Sequence, residues 1–496
     1  MDAKELLTIL PALVLLAAGL LVVLVDMTAA APNGRKAAVE WIAYLGVIGS
    51  FFCVYWQMNT APIDAFYHSI VVDRLARFSA LTVLAATLLT IVLSVDYVVA
   101  RGIYLAEYVA LVLLASAGMM FLAMSADLIT MFLSIEILSI AIYVLCGILR
   151  RDGRANEAAI KYFVQGAFAT AFLLYGMALL YGATGSVHLH KIGSVLEHGT
   201  SPLAMAGMGL MLAGFAFKIG AAPFHLWVPD VYEGAPTAVT AFMSVAVKAA
   251  AFAALVRLLH GSLDGAKATW QPVVVGLAAL TMIAGNLGAV AQKSVKRMLA
   301  YSSVAHTGYA LVGIAAGGES GGSSALFYLF AYTFMTLGAF AMLMFAGKDG
   351  KDGKDAETFD DLAGLGKRRP YAALFMTIFM VSLAGIPPTA GFFGKFMLFQ
   401  AAVLADQVPL AVLGVLLSIV GAYYYLRVVV AMWMREPVEA PVEEGAPEVA
   451  KFDFNVGVAV LVAALLTVAF GVWPSQYVNM AKNAVTDAKA LVEPNR

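Results

Sequence analysis

Runs of about twenty apolar residues follow one another along almost the whole chain, and each is long enough to cross the hydrocarbon of a bilayer as a helix. Taking runs bounded by charged or Gly/Pro-rich breaks gives about fourteen spans. They are Leu6 to Val25, Trp41 to Gln57, Phe78 to Val95, Tyr108 to Met124, Leu128 to Leu149, Ala158 to Tyr181, Leu203 to Val228 and Ala238 to Leu259. Pro272 to Val290, Leu299 to Ala316, Ala325 to Ala346, Tyr371 to Leu404, Pro409 to Met434 and Phe454 to Trp473 complete the set. The expected fold is an all-α polytopic membrane protein. The first run is too long for a signal-peptide core and lacks a small-x-small cleavage site before Asp26, so it reads as a retained span.

Only 13% of the residues are charged, against about a quarter in soluble domains. Lys plus Arg (31) nearly balance Asp plus Glu (32), which argues against a nucleic-acid footprint or a polybasic membrane-surface patch; the lipid bilayer itself is the expected surrounding. Two cysteines, Cys53 and Cys146, cannot ligate an iron–sulfur cluster, nor make a zinc site alone. Loops after odd-numbered spans hold seventeen Lys and Arg against eight on the other side, which puts the odd loops in the cytoplasm and both termini outside. The glycine- and lysine-rich loop Gly347 to Arg369 has no strand before it and no Gly-Lys-Ser/Thr end, so it reads as a solvated linker rather than a phosphate loop. Glu436 to Glu448 reads as another linker.

The stretch FKIGAAPFHLWVPDVYEGAPTAVTAFMSVAVKAA, Phe217 to Ala250, organises the rest. It buries Lys218 and Lys248 in apolar segments and breaks the first segment at Gly220 and Pro223. A central intramembrane lysine costs roughly 2.5 to 3.5 kcal/mol on insertion scales, so it calls for a function and a partner. A helix break frees backbone groups that other protein or a water-filled cavity has to satisfy. A second break, Gly385-Ile386-Pro387-Pro388, lies five spans later, so the two broken helices run in opposite directions. That parity fits two inverted five-helix repeats, each with one broken helix. The expected division is residues 1–104 as a three-helix extension, 105–260 and 261–435 as the repeats, and 436–496 as a linker and last helix.

Four ionisable residues lie well inside spans: Glu136, Lys218, Lys248 and Lys395. Glu136 sits too deep to reach water; it pairs structurally with a lysine or forms with Lys218 a pair whose proton affinities respond to small movements. Lysine suits a proton relay because desolvation favours its neutral form, whereas arginine stays charged. His225 beside the first break and His306 in LAYSSVAHTGYALVG can accept and donate protons near neutrality, or serve equally as hydrogen-bonded structural groups. Lys161, with Gln165 on the same face, relays or snorkels. Asp230 and Glu233 fall at a span boundary, where capping the next helix or fixing the loop is expected. His188, His190 and His198 share a loop, but loose spacing and no completing carboxylate or thiol argue against a metal site.

These motifs resemble a known family, the proton-pumping antiporter-like subunits of respiratory complex I and of multisubunit cation/proton antiporters. The matching stretches are the span around Glu136, the Phe217 to Ala250 segment, QKSVKRMLAYSSVAHTGY and LAGIPPTAGFFGKFMLF, together covering most of Leu105 to Arg435. Lysine rather than glutamate at 395, and no residues left for a long lateral helix, narrow the resemblance to one subunit type. The resemblance implies Glu136 and Lys218 as a coupling pair, Lys248 as central relay and Lys395 as exit-side relay, with His225, His306 and Lys161 on the connecting polar axis. It implies a bacterial inner-membrane location, sister antiporter-like subunits as partners, and no redox centre in this chain, with NADH, FMN, iron–sulfur clusters and quinone held by partner subunits. The family often has proline or serine where this chain has Val247. Two rivals stand beside it. A sodium/proton antiporter subunit shares nearly all the motifs, although sodium wants oxygen ligands that lysines cannot supply. The other is a haem- or quinone-binding redox protein: haem would want axial ligands, and His306 is the one clearly mid-span histidine, while the sequence leaves a quinone pocket open.

Overall fold

The computed structural model describes residues 3–28, 32–346, 355–437 and 454–490. Of the two linkers expected at 347–369 and 436–448, residues 347–354 and 438–448 lie outside the described residues, whereas 355–369 is described and packs against the helices. A short α1 (Ala3–Thr8) precedes α2 (Leu10–Thr28), α3 (Pro32–Gln57) and a hairpin of β1 (Ile63–Ala65) antiparallel to β2 (Ile70–Val72), with Ile63 opposite Val72. There follow α4 (Arg74–Ala100), α5 (Leu105–Met124), α6 (Leu128–Cys146), α7 (Gly153–Thr184), a short α8 (Leu189–Leu196), α9 (Pro202–Ile219) and α10 (Trp227–Gly234). The next crossing is α11 (Thr237–Phe242), a π-helical turn Met243–Val247, α12 (Lys248–Leu255) and a π-helical stretch Val256–Ser262. Then come α13 (Lys267–Val290), α14 (Val295–Ala316), α15 (Gly318–Ala346), α16 (Leu365–Arg368), α17 (Pro370–Ala384), α18 (Ala390–Leu404), α19 (Val408–Met434), α20 (Phe454–Val472) and α21 (Ser475–Ala490).

Twelve of these segments are long and apolar enough to cross a bilayer. The α17–α18 pair and α14 complete the fourteen crossings read from the sequence. The hairpin, α8 and the amphipathic α21 are additions that no apolar run announced.

Local chemistry sets the ends. Asp73, Asp127, Asp152, Ser201 and Ser294 precede α4, α6, α7, α9 and α14, and each side chain accepts from an amide of the first turn. Gly220 (φ 71°) and Gly385 (φ 86°) end α9 and α17 in the left-handed region, which only glycine enters without steric penalty, and a proline soon after each prevents the helix from resuming. The breaks therefore stand where Gly-x-x-Pro and Gly-x-Pro-Pro place them. The centre of the molecule is the crossing Thr237–Ser262, wholly buried, with α15 almost as enclosed.

Sidedness emerges from loop contacts. Arg101 pairs with Asp355, Arg154 with Glu357, and Lys367 with Glu436, all from loops after odd-numbered crossings. At the other end Arg257 pairs with Asp73, Arg74 with Asp487, and the rings of His68 and His188 meet. The α7–α9 contact is close enough to require glycine. A Cβ on Gly176 would stand 2.7 Å from both the Gly207 carbonyl oxygen and the Met211 amide nitrogen, and neither backbone atom can rotate away. Gly176→Leu should therefore push α9 off α7 and cost about 1 to 3 kcal/mol. A lower melting temperature of the purified complex is the expected reading; an unchanged one would contradict the contact.

Candidate functional site: a buried row of lysines and histidine

Lys218, Lys248, His306 and Lys395 are each at most 5% exposed. Each is held by groups that an isolated span could not supply. Lys218, in the last turn of α9, donates to Ser139 Oγ of α6 at 2.7 Å, with the rings of Tyr143 and Tyr162 each 5.8 Å away. Lys248, at the junction of the π-helical turn and α12, donates to the Ser303 hydroxyl and carbonyl of α14 and lies 6.0 Å from the Tyr332 ring. His306, one turn beyond Ser303, has both ring nitrogens engaged: Nδ1 with the Tyr328 hydroxyl at 2.6 Å and Nε2 with the Tyr425 hydroxyl at 2.9 Å. Tyr425 also bonds Ser302. Lys395 turns back onto the second break, donating to the Leu383 and Ala384 carbonyls at 3.1 Å each, 4.7 Å from the Tyr309 ring.

The freed backbone of the first break is also satisfied by protein. Phe217 O accepts from Trp227 Nε1, Ile219 O from Thr307 Oγ1, and the Ala222 amide donates to Thr281 Oγ1. Thr307 thus links the lysine-bearing end of α9 to α14, the helix that also holds Lys248 through Ser303.

Glu136 and Lys218 lie close enough for their charges to interact, without a direct hydrogen bond between them among the described residues. Glu136 accepts from Thr170 Oγ1 of α7 at 2.9 Å, while Ser139, three residues further along α6, occupies the place facing Lys218. Residues i and i+3 are neighbours one turn apart on a helix, and here α7 meets Glu136 while α9 meets Ser139. Lys161 lies apart from the buried row, paired with Glu157 and Asp230 at 2.7 and 3.0 Å. Asp230 and Glu233 do not cap α11. They hold Arg297 of α14 at 2.9 and 2.6 Å, so the loop-fixing half of the expectation stands and the capping half falls. His225 is half-buried at the first break, its Nδ1 buried without a hydrogen-bond partner. Among the described residues no hydrogen bond joins it to the row.

Of the three loop histidines, His198 bonds the Ser194 carbonyl, whereas His188 and His190 are joined by His68 from the hairpin, with ring centroids 5.9 to 6.4 Å apart. Burial, and then the neighbouring His188 and His68 rings, hold His190 below the ordinary histidine pKa. Among the described residues no group of three or more His, Cys, Asp or Glu side chains is placed to hold a metal ion. Ser139, Ser303 and the tyrosines are the site residues that sequence reasoning missed. Tyr328 and Tyr332, one turn apart on α15, and the triplet Tyr423 to Tyr425 inside an apolar span were the available signals.

A row of buried lysines hydrogen-bonded to serine hydroxyls and backbone carbonyls, tyrosines around them, and two broken helices mark an antiporter-like ion-translocating membrane subunit. Comparison with known proteins narrows this. Residues 125–421 match the NADH:quinone oxidoreductase/Mrp antiporter transmembrane family. The chain is 44% identical over 485 residues to NADH-quinone oxidoreductase subunit N of Trichlorobacter lovleyi, covering 96% of each. A chain of respiratory complex I from Thermus thermophilus with bound aureothin is similar at 34% identity and TM-score 0.79, over 95% of this chain and 98% of that one. A chain of the Mrp complex from Dietzia sp. DQ12-45-1b is similar at TM-score 0.84 and 23% identity, over 100% and 98% of the two chains, a likeness of fold alone. The chain belongs to the family of NADH-quinone oxidoreductase subunit N, antiporter-like membrane subunits of complex I.

Proposed function

We propose that this chain moves protons across a bacterial inner membrane through Lys218, Lys248, His306 and Lys395, as one subunit of the redox-driven pump NADH:quinone oxidoreductase. The observation that carries the reading is the row itself: buried lysines hydrogen-bonded to hydroxyls and carbonyls, with the Glu136 carboxylate acting on Lys218 at longer range. A proton carrier must change charge in place, and a hydroxyl can accept from the ammonium and donate to the neutral amine. NADH, FMN, iron–sulfur clusters and quinone belong in this reading to partner subunits, among them sister antiporter-like chains. A change imposed by those partners alters the distance between Glu136 and Lys218, across the Ser139 turn, and drives the lysine's proton towards Lys248 and then Lys395. Residues 105–260 and 261–435 act as two inverted halves, flanked by 1–104 and 436–496. The loop-charge count sets the Arg101 and Asp355 face in the cytoplasm and the His68 face, with both termini, outside.

The test is Lys218→Ala in membrane vesicles. NADH-driven acidification should fall by about tenfold or more while the complex still assembles. A normal proton yield per NADH would sink the assignment. The fold shared with the Mrp chain supports a second reading, a subunit of a sodium/proton antiporter complex. If NADH oxidation ignores loss of the chain while sodium-dependent pH gradients vanish with it, that reading takes over.

A further inference from the structure

On the odd-loop face the segment 355–361 lies as a strap over a cavity of about 530 Å³ lined in part by charged side chains. Asp355 grips Arg101 at 2.7 Å, the Tyr97 hydroxyl at 3.0 Å and Thr237, the first residue of the helix that leads to Lys248. Glu357 does the same for α14: its carbonyl accepts from the Val295 amide at 2.6 Å. Its carboxylate does something else. Oε2 faces the exposed Arg154 at 3.1 Å, while Oε1 faces Lys296 at 3.3 Å, a lysine only 3% exposed. Lys296 Nζ in turn donates to the Ala235 carbonyl at 2.9 Å, in the joint between α10 and the Lys248 helix. Glu357 is therefore one carboxylate with an oxygen towards solvent and an oxygen towards a buried amine at the neck of the protein. Lys296, Ala300 and Ser303 lie on one stripe of α14, and Ser303 is the partner of Lys248 two turns and about 10 Å along the axis.

We propose that Glu357 is the proton-collecting carboxylate of the inner mouth and Lys296 the buried group that it reloads. The inference rests on the lysine-row reading and extends it to the cytoplasmic inlet. Lys296 passes its ammonium proton inward, through water along the Ser303 stripe, to neutral Lys248. Glu357, protonated from the cytoplasm, then returns a proton to the neutral Lys296 amine, and the carboxylate and ammonium are restored. Charged groups face this step from every side of the cavity: Arg154 and Asp152 around the start of α7, Glu233 from α10, Lys296 from α14, Arg101 after α4, and Asp355 and Asp361 from the strap.

The test is Glu357→Gln in the full complex, in inverted vesicles whose cytoplasmic face meets the buffer. Glutamine keeps the backbone bond to Val295 and can still accept from Arg154, but it cannot take up a proton. The ratio of mutant to wild-type pumping should fall as the buffer is made alkaline, its alkaline limb moving down by about one pH unit, a roughly tenfold loss at fixed alkaline pH. Glu357→Asp should restore most of it. A mutant that pumps like the wild type at every pH, or that melts earlier with an unshifted profile, overturns the proposal and leaves the strap a structural clamp. Lys248→Ala in the same vesicles separates the two ideas. If it pumps normally, the row reading fails; if it is dead while Glu357→Gln is unaffected, only the inlet fails.

Discussion

Replacing Lys248 by methionine or alanine should lower NADH-driven proton pumping by roughly a hundredfold, within the range seen when a positioned acid–base group is removed. The side chain is 2% exposed, and its amine bonds only Ser303 among the described residues, so its loss opens a polar gap at the centre of the molecule. Methionine is the cleaner test because it keeps the volume and flexibility of the lysine stem without its proton. Arginine is the complementary control: it preserves a positive charge yet holds its proton at any working pH. If the site needs charge alone, Lys248→Arg pumps; if it needs a group that can lose a proton, Lys248→Arg fails with the others. Wild-type pumping in Lys248→Met would remove this residue from any proton path. The measurement is dye-reported acidification of inverted vesicles beside NADH oxidation, with assembly followed on native gels.

Asp73→Ala should destabilise the subunit by about 3 to 5 kcal/mol, the usual result of stranding one member of a buried ion pair. Arg257 and Asp73 meet in a two-bond fork, both contacts 2.8 Å, with the pair 3% and 0% exposed. Arg257 also donates to the Ala123 carbonyl at the end of α5, and Asp73 caps α4 through the Ala76 amide. One pair therefore pins the Ser262 end of the Lys248 helix to two neighbours. Loss of assembled complex, or a marked drop in its melting temperature, is expected. Removing both charges together, as Asp73→Leu with Arg257→Met, should recover much of the loss, since the damage lies in the unpaired guanidinium rather than in the missing bond. A single mutant that melts like the wild type would show that water reaches the site.

The crossings, the two breaks and the buried lysines were legible because each violates or obeys a rule of the bilayer that acts on one span at a time. Apolar length marks a helix, and a lysine inside it stands out against that background. What each lysine touches depends on packing between spans far apart in sequence. Ser139 and Ser303 carried no signal, since a serine in an apolar helix commonly bonds its own preceding turn. Glu136 and Ser139 stand one turn apart on α6, and only the seating of α7 and α9 against that helix decides which of the two bonds the lysine directly. The strap was hidden by its composition. A loop of glycine, lysine and aspartate reads as solvated linker, yet Asp355 and Glu357 find arginine, lysine and tyrosine on three helices, α4 with its cap, α7 and α14.

Helix α14 holds Lys296 at the mouth, Ser303 against Lys248, His306 between two tyrosines, and Thr307 on the carbonyl beside Lys218. These contacts lie along a single rigid rod, so they cannot be adjusted one at a time. A slide of that rod by a fraction of an ångström retunes all of them in the same instant, as lobes on one camshaft keep time without signalling to each other. Synchrony between distant stations of the chain then needs no messenger beyond the stiffness of its own backbone.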